Sequence, residues 1–102
     1  MKKPKRKHRN HLFTLRRVRG YKQKHVAHLL GLRGTHMISR YETGQAVPPL
    51  HTALLLQVVL GAQLSDIYAD LYKDLQLVAV RRATRLTPAL GAHIRGRVLG
   101  RD

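Results

Sequence analysis

The stretch QKHVAHLLGLRGTHMISRYETG, residues 23–44, decides how this chain folds. Val26, Ala27, Leu29 and Leu30 recur with helical rather than alternating spacing, and Gly31 supplies the left-handed stop that commonly ends a helix. The run from Thr35 to Glu42 then sets Ile38 and Tyr41 three apart on an inner face and leaves His36, Ser39, Arg40 and Thr43 elsewhere. Two short helices, 23–30 and 35–42, are therefore expected, joined by a turn that holds Gly31, Leu32, Arg33 and Gly34. Ala27 is small enough for the second helix to cross close over the first, and Gly31 permits a backbone turn that a β-carbon would strain.

Working outward, Leu12, Phe13, Leu15 and Val18 interleave with Arg16, Arg17 and Arg19 at helical spacing, and Gly20 is the stop. Residues 43–49 (TGQAVPP) read as a loop, and a proline pair just before an apolar run signals the start of a fourth helix over 50–60, closed by Gly61. Val26, Leu30, Ile38 and the leucines of that helix are expected to share one core. Ser65 can cap a fifth helix, 66–72, with Asp66 in its first turn complementing the helix dipole. Leu71, Leu75, Val78, Ala79, Arg82 and Leu86 continue on one stripe, so this helix or a sixth runs to about Leu86. Pro88 and the glycines at 91, 96 and 100 make the end a poor helix. The expected architecture is all-α: a flexible basic arm (1–9), a five-helix domain (10–72), a helical extension (73–90) and a flexible basic tail (91–102).

A chain of 102 residues has room for one domain, or one small domain with tails, which excludes most large enzyme architectures. At 43% hydrophobic it has enough apolar material to fold, but 20 Lys and Arg against 5 Asp and Glu give a net charge of +15, which calls for a polyanionic partner. The charge is segregated. Residues 1–40 hold 13 Lys or Arg and no acid; residues 41–74 hold Glu42, Asp66, Asp70 and Asp74 against Lys73 alone; residues 75–102 are basic again. The three aspartates at i, i+4 spacing are expected to share a helical face turned away from the polyanion. Cysteine is absent, which excludes disulfides, thiolate zinc fingers, cysteine nucleophiles and Fe–S clusters together. The longest apolar stretch, 53–62, is interrupted by Gln57 and falls well short of the roughly 20 residues a bilayer requires, so no membrane partner is expected.

Two short helices around a glycine-bearing turn, flanked by supporting helices in the most basic part of the chain, form a helix-turn-helix pattern. Here the sequence resembles the phage-repressor and Cro (Xre-type) family of bacterial and phage transcription regulators. The resemblance covers residues 12–68 and rests on LRRVRGYKQKHVAHLLGL, ISRYETG and VPPLHTALLLQVVLGAQLSDIY. One departure stands out: the family's gap from turn glycine to isoleucine is one residue shorter than Gly31 to Ile38, so the turn is lengthened around Arg33 and Gly34.

The resemblance implies a lambda-repressor-like fold whose third helix enters the major groove of double-stranded DNA. Base or groove contacts would come from Arg33, Thr35, His36, Ser39 and Arg40. Arg40 suits a bidentate pair with guanine, or else a phosphate. Lys22, Gln23, Lys24 and Thr43 would meet phosphates, with Gln23 either bracing the reading helix or simply capping the surface, and Gly44 and Gln45 beside the opposite backbone. Arg16 and Glu42 correspond to the family's interhelical ion pair. The implied role is a small cytoplasmic, nucleoid-associated regulator, a repressor acting as a homodimer. The segment 73–90 would serve dimerisation, bind a protein partner, or fold back on the domain, and the basic arm would reach a groove or act as an electrostatic tether.

Other chemistry finds little material. Seven histidines include His25 and His28 at i, i+3, but no thiolate or nearby carboxylate completes a zinc site. Ser39, His36 and Asp66 could be drawn as a triad only without the elbow that such a nucleophile needs. No glycine-rich nucleotide loop is present, so neither an enzyme nor a cofactor is expected. Two other readings remain open: an antitoxin-type or other protein-interaction module that also binds DNA, and a structured-RNA or ribosome-associated binder.

Overall fold

The computed structural model describes residues 9–99, and among them every regular element is a helix: α1 (Leu12–Val18), α2 (Gln23–Leu29), α3 (His36–Glu42), α4 (Leu50–Leu60), α5 (Leu64–Ile67), α6 (Ala69–Leu86) and α7 (Pro88–Val98). The chain divides into two compact units, one ending at Asp70 and the other beginning at Leu71. No helix among the described residues is long and apolar enough to cross a membrane.

The first three helices stop by the same device. At the end of α2, Gly31 adopts φ +76°, its N–H donates to the His28 carbonyl at 3.0 Å, and the Leu32 N–H donates to the Ala27 carbonyl at 2.8 Å. These are the paired bonds of a Schellman cap, and they need a residue at ease with positive φ. Gly20 and Gly44 end α1 and α3 with the same two bonds, to Arg17 and Arg16 and to Tyr41 and Arg40 respectively. Each connection is thereby fixed in direction, which is how helices of only seven residues hold their places without length to stabilise them.

The first unit has a core of Leu12, Val26, Leu30, Ile38, Tyr41, Leu56, Leu60 and Ile67, all buried, with Ala27 and Ala53 filling the close approaches. Helix α2 packs on α3 and α4, α1 on α3, and α4 on α5. Only part of the expected core contribution of α4 is made: Leu56 and Leu60 are inside, whereas Leu50 and Leu54 face outward. At the start of the described chain, Asn10 Oδ1 accepts from the Leu12 N–H at 3.0 Å, while its Nδ2 donates to the Tyr41 carbonyl at 2.8 Å. One side chain thus starts α1 and ties it to α3.

Two expectations are corrected. The fifth helix is not 66–72: α5 spans only Leu64–Ile67, its first N–H donating to Gln57 Oε1 at 2.9 Å, and the chain bends at Tyr68 (φ −114°, ψ 49°) before α6 begins. The bend lets Ile67 and Tyr68 both enter the core, at 0% and 7% exposure. It also separates Asp66 from Asp70 and Asp74, so the three aspartates do not share a helical face, although all are exposed.

The other correction is at the end, where 91–98 is not a poor helix but most of α7. Pro88 occupies its first turn, and Thr87 Oγ1 caps it by accepting from the Leu90 N–H at 3.0 Å. Gly91 is buried against α6, and a β-carbon there would overlap Thr84 Oγ1 and lie 2.8 Å from Thr84 Cα. The glycine that reads as a helix breaker is where α7 meets α6, against Thr84. The arm residues 1–8 and the tail residues 100–102 lie outside the described residues.

Candidate nucleic-acid interface

Helix α3 has two faces of different character. Inward, Ile38, Tyr41 and Glu42 are 2%, 4% and 7% exposed; outward, Thr35, His36, Ser39 and Arg40 are all open to solvent, with Arg33 and Gly34 on the approach turn. Thr35 occupies the N-cap position, and its hydroxyl makes no capping bond. The turn residues Gly31 to Gly34 thus precede the cap, and α3 begins at His36. None of the side chains of Arg33, Thr35, His36, Ser39 and Arg40 makes an intramolecular hydrogen bond or ion pair.

The inward face is locked by charge as well as by packing. Arg16 of α1 and Glu42 of α3 are both buried, and the guanidinium meets the carboxylate in a fork: Nε donates to Oε2, and Nη2 to Oε1 at 3.2 Å. Arg16 Nη1 also donates to the Tyr21 carbonyl at 3.0 Å, and Gln23 Nε2 donates to Glu42 Oε1 at 3.0 Å. A bidentate, multiply bonded pair is the geometry that offsets the desolvation of two buried charges. The pair joins α1, α2 and α3 at one point. It also removes the first carboxylate of the chain from view, so no acidic side chain is exposed from Arg9 to Ser65.

At the start of α2, Lys22 and Lys24 are exposed and Gln23 is half-buried. One amide hydrogen of Gln23 is committed to Glu42, and the other remains for an external acceptor. Thr43 turns its hydroxyl back on its own helix, donating to the Ser39 carbonyl at 2.9 Å. The sequence-derived candidates thus fall into an exposed set on α3 and the turn, a basic pair at the start of α2, and a buried brace.

Other contributors were not picked out from the sequence. Arg19 donates from Nε to the Leu60 carbonyl at 2.9 Å, tying α1 to the C-terminal end of α4, where unpaired carbonyls favour a cation. His25 Nδ1 accepts from the Lys22 N–H at 3.1 Å and so stabilises the start of α2. The Phe13 ring is half exposed and lies 5.3 and 5.5 Å from the guanidinium carbons of Arg16 and Arg17, in cation–π range. Asn10 carried a legible signal, a capping residue just ahead of an apolar periodic run; Arg19 and Phe13 carried none.

Among the described residues no group of three or more His, Cys, Asp or Glu could hold a metal ion. The cavity behind α3, lined by Leu12, Arg16, Val26, Ile38, Tyr41 and Glu42 among others, measures about 10 Å³, which leaves no space for a substrate. Comparison with family models, curated proteins and solved structures finds no match.

Proposed function

We propose that this chain is a small transcriptional regulator of the phage-repressor and Cro type, binding double-stranded DNA sequence-specifically with α3 in the major groove. The observation that carries the reading is the state of the outward α3 side chains. Arg33, Thr35, His36, Ser39 and Arg40 are exposed and uncommitted, on a helix whose other side is held by the buried Arg16–Glu42 pair. In this reading α1 to α5 form the lambda-repressor-like domain, with α2 and α3 as its helix-turn-helix.

Base edges are read by Arg40, Thr35, His36 and Ser39, and Arg33 reaches from the turn. A guanidinium in the major groove can give guanine a bidentate pair, a discrimination of about 1–3 kcal/mol. Lys22, Lys24 and the second amide hydrogen of Gln23 bind phosphates, and Thr43 stands at the edge of the contact. Six phosphate contacts would give a log–log salt slope near roughly −5. Two copies on a palindrome would have half-sites about one helical turn apart.

A second reading, a module that binds another protein, draws on the second unit, where Tyr72, Leu75 and Leu86 are 51%, 54% and 76% exposed. Selection from random duplex DNA at about 0.15 M salt, where purely phosphate-driven binding is weakened, tests the regulator directly. Recovery of an inverted repeat supports the regulator; enrichment without any motif, from folded protein, rejects it.

A further inference from the structure

Helix α4 breaks the rule that a surface helix keeps its apolar residues on one side. Ala53, Leu56 and Leu60 face the core, yet the opposite positions are also apolar: Leu50, Leu54 and Val58 are 71%, 46% and 76% exposed. These three recur at i, i+4 and i+8, a continuous ridge about 12 Å long at 1.5 Å per residue. Val47, just before the helix, is exposed as well. The ridge lies within residues 43–65, the longest stretch of the chain without a Lys, Arg, Asp or Glu, in a protein whose net charge is +15.

We propose that the α4 ridge is where two copies of this chain associate, α4 against α4 across a two-fold axis. Charge selects the occupant. Two molecules of +15 repel, and they meet most readily where their own residues add no like charge; residues 43–65 carry none, and the Arg19 guanidinium beside them sits at the C-terminal end of α4, on the Leu60 carbonyl. A foreign partner attracted by the charge would be acidic, and it would be steered to the lysine and arginine faces rather than to an uncharged ridge. Shape agrees. A two-fold interface must be complementary to itself, and a ridge of i±4 side chains fits the matching groove of an identical helix at a crossing near −50°.

The contact is small, so it makes a weak dimer that depends on concentration. The self-association stands on the surface alone. Its use rests on the proposed DNA reading: two copies on adjacent half-sites are held at high effective concentration, and a weak contact then suffices to couple them. This places the dimer contact on α4 instead of the segment 73–90 that the sequence suggested.

The test is sedimentation equilibrium of the full chain at about 0.15 M salt, over a wide range of concentration and without DNA. The wild type is expected to rise from 11.6 kDa toward twice that mass. Leu54→Gln with Val58→Gln should weaken association about tenfold or more, while circular dichroism stays unchanged because both side chains face outward. Leu75→Gln, in the second unit, should leave association intact. A wild type that stays monomeric throughout overturns the proposal, as does a dimer broken by Leu75→Gln but not by the α4 variants. Dimers that bind no DNA would remove the regulator reading and leave this one; specific binding by a strict monomer would do the reverse.

Discussion

Substituting Glu42 by alanine removes the carboxylate on which three helices converge. Arg16 is then left buried at 8% exposure with the Tyr21 carbonyl as its remaining hydrogen-bond acceptor and the half-exposed Phe13 ring beside it, and the Gln23 amide loses its acceptor. Removing one member of a buried, hydrogen-bonded pair costs about 3–5 kcal/mol, because the other charge stays inside uncompensated. Against the roughly 5–15 kcal/mol that stabilises a typical domain, this is a large fraction. Urea titration followed by far-UV circular dichroism measures it. The double variant Arg16→Met with Glu42→Leu removes both charges and fills the same space, and should recover most of the loss. The single and double variants together form a cycle whose coupling term isolates the pair. A loss below about 1 kcal/mol for Glu42→Ala, the worth of a solvated surface pair, would refute the claim that the pair is desolvated and braces α3.

Tyr68 has a buried hydroxyl with no hydrogen-bond partner among the described residues, and burial, reinforced by Tyr41, pushes its pKa up from 10.0 to about 12. A pKa raised on folding gives stability that is whole below pH 10 and is lost as pH climbs from there toward 12, so alkaline titration of the wild type should weaken the fold in that window. Tyr68→Phe should flatten the window and, by removing an unpaired polar group, leave stability at pH 7 unchanged or raised by about 1 kcal/mol. A loss of more than that would show that the hydroxyl has a partner. Gly91→Ala forces a β-carbon onto the Thr84 backbone at 2.8 Å and should destabilise the α6–α7 packing by about 1–3 kcal/mol, visible as early proteolytic cleavage within 71–98. Unchanged protease resistance would mean that the two helices are not in register at this contact.

The first four helices were legible because each one is closed by a strong local signal. Gly20, Gly31, Gly44 and Gly61 all take positive φ, and a proline pair precedes α4. The α5–α6 break was not legible. A helical reading through Tyr68 is locally sound, and only the demand that Ile67 and Tyr68 both reach the core bends the chain there. For α7, propensity misled: Gly91 costs helix stability locally but allows the close approach to Thr84, a tertiary gain that composition cannot register. Helical spacing put Leu75 and Leu86 on an apolar stripe, yet the packed side of α6 is Val80 and Ala83, the smaller residues that permit close helix contact.

In the site, the exposed side of α3 followed from spacing alone once Ile38 and Tyr41 were taken as inward. The pairing of Arg16 with Glu42 came through family resemblance, since nothing local joins residues 26 positions apart. For the third member, Gln23, the resemblance implied a brace with surface capping as the alternative, and its bond to Glu42 Oε1 is a tertiary contact that the sequence does not carry. Arg19 could not be told from its basic neighbours, because a cation bound to a distant carbonyl has no pattern of its own in the chain.

The most direct test of sequence reading by α3 compares wild type with Arg40→Ala on a selected duplex and on a scrambled one, by fluorescence anisotropy at about 0.15 M salt. The account predicts that Arg40→Ala weakens binding to the selected duplex by about 1–3 kcal/mol, with much less change on the scrambled one. Equal losses on both duplexes would make Arg40 a phosphate contact, and a wild type that does not distinguish the two duplexes would contradict the account.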